Sequence, residues 1–141
     1  MGCGAGVATL DLAAALPTAQ ITVIDTHAGF LEVLWAKAAT SASITTLEVD
    51  MAAPSLAPAS LDLIWCESAI DSVGRKVALA AWRKLLAPGG LVVFSDVAWT
   101  TDAPPAEARA FWAGEYPAMV TPSVVEAEIT AAGYRLVERH A

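Results

Sequence analysis

Met1-Gly2-Cys3-Gly4-Ala5-Gly6 opens the chain and runs directly into Val7-Ala8-Thr9-Leu10. Glycine at alternate positions strips this turn of side chains, so main chain can come close to a ligand. The pattern that follows is helical, and the first N–H groups of a helix have no partner inside it, which suits whatever binds there. The stretch reads as a strand-to-helix turn that carries a binding loop. Such loops follow a buried strand, and only Met1 precedes this one. The sequence therefore predicts a chain truncated at its N-terminus, without most of its first strand.

Strands and helices alternate from there. Residues 6–16 are helical and stop at Pro17, and 20–25 form a short β-branched strand. A helix over 29–40 puts Leu31, Leu34, Trp35 and Ala38 on one stripe, and 44–49 and 61–66 read as strands. The spacing predicts a long helix over 72–86, with Val77, Ala78, Ala81 and Leu85 inward and Arg75, Lys76 and Arg83 on a solvated face. Ala87-Pro88-Gly89-Gly90 ends it, and Leu91 to Asp96 is the clearest strand. Residues 97–122 hold four prolines and the aromatics Trp99, Phe111, Trp112 and Tyr116, with a short helix at 105–114. Thr121-Pro122 caps a last helix to Ala132, Gly133 closes it, and 134–139 read as a strand. This rhythm predicts one α/β domain over residues 1–141, doubly wound and Rossmann-like around a mostly parallel sheet.

Composition narrows the function. With 141 residues, the chain is long enough to bury a core. Lys plus Arg total 8 against 15 Asp plus Glu, a net charge of −7, which disfavours nucleic acid as a partner. Although 56% of residues are apolar, no run nears the roughly 18 needed to cross a membrane, and no signal peptide is visible. Cys3 and Cys66 give no disulfide framework, and no Cys/His spacing suggests a metal. A reducing cytoplasm is the expected location.

In a doubly wound sheet, ligands bind at the carboxyl ends of the strands. Those ends carry the glycine loop, Asp25, Asp50-Met51, Cys66-Glu67 and Ser95-Asp96. Asp25, about 20 residues past the glycines, suits the two hydroxyls of a ribose, and it can equally cap the next helix. Asp50 beside Met51 offers a carboxylate and an apolar side chain, which suits an adenine; a simple loop turn is the alternative. Glu67 either caps a helix or faces the cleft. A dinucleotide fingerprint would need glycine where Val7 stands. His27 reads as a helix-start residue near the adenosine, His140 as a surface residue, and Trp65 as core.

Assembled, these residues resemble the class I S-adenosylmethionine-dependent methyltransferases over essentially the whole chain. Gly2-Cys3-Gly4-Ala5-Gly6 matches the family's first motif, Asp25 its ribose acid and Asp50-Met51 its adenine pair. Leu61 to Glu67 matches the fourth-strand motif. Trp82-Arg83-Lys84-Leu85-Leu86-Ala87-Pro88-Gly89-Gly90-Leu91 is the most specific match. The run from Ser95 to Asp102, with Phe111-Trp112 and Glu115-Tyr116-Pro117, is similar to a bacterial subgroup acting on small molecules. The chain departs from the family in lacking the acid that would stand just before Met1, the helices ahead of the first strand, and the last strand. Ser68 stands where the subgroup has Gly, and Asp71-Ser72 where it has Tyr-Asn.

The resemblance implies a methyltransferase that uses S-adenosyl-L-methionine and a small-molecule acceptor. It implies cofactor contacts from Gly2, Cys3, Gly4, Gly6, Asp25, Thr26, Asp50, Met51 and Cys66, and makes Glu67 the candidate base or amine-holding residue. Residues 97–122 are expected to form a lid or wall over the acceptor, with Trp99, Trp112 and Tyr116 lining it; covering an outer sheet edge is the alternative. An inactive cofactor-binding remnant is the second reading, and a nicotinamide-dependent oxidoreductase a weaker third. Strands left without a neighbour predict a marginally stable chain that aggregates or pairs into a homodimer through its open strands.

Overall fold

A computed structural model describes residues 1–38 and 43–140. In chain order the elements are α1 (Val7–Ala15), β1 (Ile21–Asp25), α2 (Ala28–Ala38), β2 (Ile44–Glu48) and β3 (Leu61–Cys66). A 3-10 turn at Ile70–Ser72 leads into α3 (Arg75–Arg83), followed by β4 (Leu86–Phe94), α4 (Ala106–Glu115) and α5 (Pro122–Ala131). The alternation read from the sequence is observed. The last two residues of the helix expected over 29–40 lie outside the described residues.

Two parallel strand pairs form the sheet layer. β1 pairs with β2 from Ile21↔Ile44 to Asp25↔Glu48. β3 pairs with β4 from Leu61↔Leu86 to Cys66↔Phe94, with a register shift between Leu61 and Leu63. That shift absorbs Ala87-Pro88-Gly89-Gly90 inside β4, so the strand begins five residues earlier than expected. The opening residues join the two pairs. The Met1 amine donates to Trp65 O at 2.8 Å, and Cys3 N–H donates to Ile24 O at 3.0 Å. Residues 1–3 thus run between the ends of β3 and β1, which sets the carboxyl ends of all four strands on one edge.

Apolar burial follows the same division. Ile24, Met51, Ile64, Cys66, Ile70, Ala78, Trp82, Leu85 and Leu86 form the larger core. Val23, Leu31, Leu34, Ala38 and Ile44 form the smaller one beneath α2. Between β1 and β3, below the opening loop, lies a cavity of about 700 Å³ walled by Thr22, Val23, Leu63, Trp65 and the α1 residues Thr9 and Leu12. Trp65 Nε1 is the one buried side-chain polar atom without a hydrogen-bond partner among the described residues.

Further expectations need correction. Helix α3 is shorter than the span 72–86, and its buried stripe is Arg75, Ala78, Leu79 and Trp82, while Val77 is 54% exposed. Arg75, expected on a solvated face, is only 3% exposed. Residues 134–139 form no strand: a Schellman closure ends α5, with Gly133 N–H bonded to Thr130 O and Tyr134 N–H to Ile129 O. The Tyr134 hydroxyl then donates to Leu79 O and its ring lies under the Arg83 guanidinium, tying this segment to α3 by side chains. Trp35 also departs from its stripe, at 55% exposed.

Candidate functional site

The glycine loop owes its shape to positive φ at Gly2, Gly4 and Gly6. At Gly2 and Gly6 neighbours also forbid a side chain. A Cβ on Gly2 would lie 2.5 Å from Ala69 Cβ, and one on Gly6 would lie 2.3 Å from Leu34 Cδ1. Gly4 differs, because nothing stands within 4 Å of where its Cβ would be. The loop is packed on both flanks and bare at its crest.

Asp25, the last residue of β1, is anchored beside that crest. Its Oδ2 accepts Gly4 N–H at 2.8 Å and its Oδ1 accepts His27 N–H at 3.0 Å, with the side chain 11% exposed. The two readings of Asp25 therefore coexist: it organises the start of α2, and it retains acceptor capacity on both oxygens for two further donors. His27 is largely exposed, 3.9 Å from the same carboxylate, with its ring tilted against Phe30. Thr26 lies between them at the strand-to-helix turn.

Asp50 lies two residues past β2, exposed, with Oδ1 accepting Ala52 N–H at 2.7 Å, so the turn expected as its alternative role is present. Met51 is buried in the larger core, its carbonyl accepts the Trp82 indole N–H at 2.9 Å, and its sulfur lies near Gly2. Cys66 is 1% exposed, and burial pushes its thiol up to about 11. Burial, then the nearby Asp25 charge, also raises Cys3. Both stay protonated at neutral pH, which leaves no thiolate nucleophile here.

Glu67 follows β3 on the same edge, exposed, and has no hydrogen-bond or ion-pair partner among the described residues. Ser68 beyond it takes φ 51, a left-handed conformation that favours glycine, and its N–H is held by Ser95 Oγ at 2.8 Å. The fourth edge acid, Asp96, turns to protein partners. Its Oδ2 accepts from Arg75 at 2.6 Å and from the Tyr116 hydroxyl at 3.1 Å, and its Oδ1 accepts Val97 N–H. Structure thus brings Asp25, Asp50, Glu67 and Asp96 to one edge and commits Asp96 to the scaffold.

The aromatics of residues 97–122 are placed unevenly. Trp99 and Trp112 are half-buried, Tyr116 is buried, and Phe111 is 62% exposed against Trp112 in a T-shaped contact. Trp99 fastens the segment to itself through its main-chain N–H to Val120 O and its indole N–H to Met119 O. None of Trp99, Trp112 or Tyr116 lines the cavity between β1 and β3. Sequence reasoning missed Arg75, although its i, i+3, i+4, i+7 relation to Ala78, Leu79 and Trp82 marks it as facing inward. Among the described residues no cluster of His, Cys, Asp or Glu could hold a metal ion, and no helix is long and apolar enough to cross a membrane.

Comparison with known proteins agrees with this geometry. A family model described as a methyltransferase domain matches residues 1–94. No curated protein sequence matches the chain. Among solved structures, phosphoethanolamine N-methyltransferase 2 of Haemonchus contortus superimposes with a TM-score of 0.82 at 17% identity, over 94% of this chain and 31% of that one. An S-adenosylmethionine-dependent methyltransferase of Aquifex aeolicus gives 0.74 at 17% identity, over 97% and 71%. Geranyl diphosphate C-methyltransferase of Streptomyces coelicolor gives 0.78 at 12% identity, over 93% and 50%. The chain thus spans about a third of the first and half of the last. It belongs to the methyltransferase domain family and has the Rossmann-like fold of the S-adenosylmethionine-dependent methyltransferases.

Proposed function

We propose that the chain is an S-adenosylmethionine-dependent methyltransferase that transfers a methyl group to a small-molecule nucleophile. The observation that carries this reading is the Asp25 carboxylate, fixed by the Gly4 and His27 amides beside a loop crest with no side chain. A nucleoside fits there: ribose hydroxyls would donate to Asp25, and its chain would pass over Gly4, where a Cβ has only open space. Asp50 would accept from the adenine amine. Met51 contributes from beneath, through the core that supports Gly2, and Cys3, Gly6, Thr26 and Cys66 shape the loop and its floor.

S-adenosylmethionine, when bound, supplies an electrophilic methyl on a sulfonium, so the chemical difficulty resides in the cofactor. The protein's task is to align donor and acceptor and to exclude water. Glu67, exposed and unpaired at the end of β3, is the residue able to hold an acceptor amine or take its proton. Residues 97–122, with Trp99, Trp112 and Tyr116, are assigned to the acceptor wall. The net charge of −7 supports a small molecule over nucleic acid, and a cytoplasmic location suits both free thiols. Pairing into a homodimer through the open edges of β1 and β3 belongs to the same reading.

Calorimetry with S-adenosylhomocysteine tests it. Asp25→Ala weakens binding by about 1.5–3 kcal/mol, the range for hydrogen bonds to a charged group, and Asp25→Asn, which still offers an oxygen to Gly4 N–H, separates ribose binding from loop support. A folded Asp25→Ala chain that binds as tightly as the parent overturns the assignment.

A further inference from the structure

The Arg75 guanidinium is a buried junction between four parts of the chain. Nε donates to Glu128 Oε2 on α5 at 2.9 Å, and one terminal nitrogen donates to Asp96 Oδ2 at 2.6 Å and to the Tyr116 hydroxyl. The other terminal nitrogen donates to Ala118 O at 3.1 Å. The Tyr116 hydroxyl donates a hydrogen bond to Asp96 Oδ2, and Lys76 reaches the second Glu128 oxygen at 3.5 Å, so two cations face two carboxylates. Among the described residues, every hydrogen bond from 98–121 to the elements before it ends on Arg75 or Asp96. The segment's ends are clasped to each other by Trp99 with Met119 and Val120, which makes it one unit.

We propose that Arg75 is a positioning residue, a buried latch that fixes the aromatic segment 97–121 as a unit above the carboxyl edge of the sheet. The planar fork is essential, because its donors leave in fixed directions toward three elements at once; a lysine ammonium on a flexible stem cannot span them. The latch matters to function because Asp96, which it grips, lies on the same strand edge as Asp25, Asp50 and Glu67. Moving the segment therefore moves the wall nearest the methyl acceptor. This last step rests on the reading of 97–122 as the acceptor wall.

Hydrogen exchange on the whole chain, bound to S-adenosylhomocysteine, tests the latch. Arg75→Lys keeps the charge but loses the fork, and exchange in 98–121 rises roughly tenfold while α1, β1 and α2 keep their rates. Tyr116→Phe keeps the ring and both ion pairs, and gives a smaller rise of about threefold confined to the same segment. Unchanged exchange in both variants, or an equal rise throughout the chain, overturns the latch. Turnover of a panel of small amines and phenols separates the two readings. A raised acceptor KM in Arg75→Lys, with the S-adenosylmethionine KM unaltered, supports positioning of the acceptor wall. Faster exchange with an unaltered acceptor KM overturns the wall assignment, and no turnover by the parent chain contradicts the proposed function while the exchange result still decides the latch.

Discussion

Gly4 and Gly6 occupy the same loop under opposite constraints. Both have positive φ, but Leu34, fully buried, blocks a side chain on Gly6 whereas open space surrounds Gly4. Gly6→Ala combines left-handed strain with overpacking and lowers stability by about 2–4 kcal/mol in urea unfolding. Gly4→Ala costs only the conformational term, about 1–2 kcal/mol, and weakens S-adenosylhomocysteine binding by more than its stability loss explains. The two indoles Trp82 and Trp65 differ in a parallel way. Trp82→Phe removes the bond to Met51 O and opens space in the larger core, at about 2–4 kcal/mol. Trp65→Phe discards a buried donor that has no partner and changes stability by less than about 1 kcal/mol. Equal costs for the two would contradict the hydrogen-bond assignment.

Among the elements, β1, β2 and β3 were legible because short β-branched or apolar runs ended in acids, and a parallel fold sends such ends to one edge. Helix α3 was legible as a helix but not in its phase. Reading Val77, Ala78, Ala81 and Leu85 as the inner stripe treated Arg75 as solvent-facing by residue type. Its partners Asp96, Tyr116 and Glu128 are 21, 41 and 53 residues away, so no local pattern reveals that the charge is satisfied. The span 134–139 alternates like a strand, yet Tyr134 is taken by Leu79 O and the segment docks by its side chains. Leu79→Ala therefore lowers stability by about 2–5 kcal/mol, while Val77→Ala, on the exposed side, stays within about 0.5 kcal/mol. The opposite order in denaturant unfolding would restore the sequence-read phase.

Over the whole molecule, burial favours the neutral forms of several acids, three of them strongly. Cys66 is pushed up to about 11, and Tyr116 and Tyr134 to about 12, Tyr116 also by the Asp96 charge. An acid whose pKa is raised by folding adds stability that is whole below its unfolded value and is lost as pH climbs through the folded one. Stability therefore declines from about pH 9 and falls through 12. Both tyrosines of the chain resist ionisation until that upper range, so ultraviolet titration shows tyrosinate arising together with unfolding. Ionisation of either tyrosine near pH 10 with the fold intact would contradict its burial.

At the same scale stands the assignment of the glycine loop and Asp25 as a nucleoside cradle. Amide chemical shifts of the isotope-labelled chain, followed while S-adenosylhomocysteine is added, report on it residue by residue. The expected result is that the Gly4 and His27 amides, both bonded to Asp25, move first and furthest, with Asp50 to Ala52 following and α4 and α5 still. Shifts confined to the cavity wall at Thr22, Val23 and Leu63, or none at Gly4 and His27 at saturation, would place the ligand elsewhere and refute the cradle.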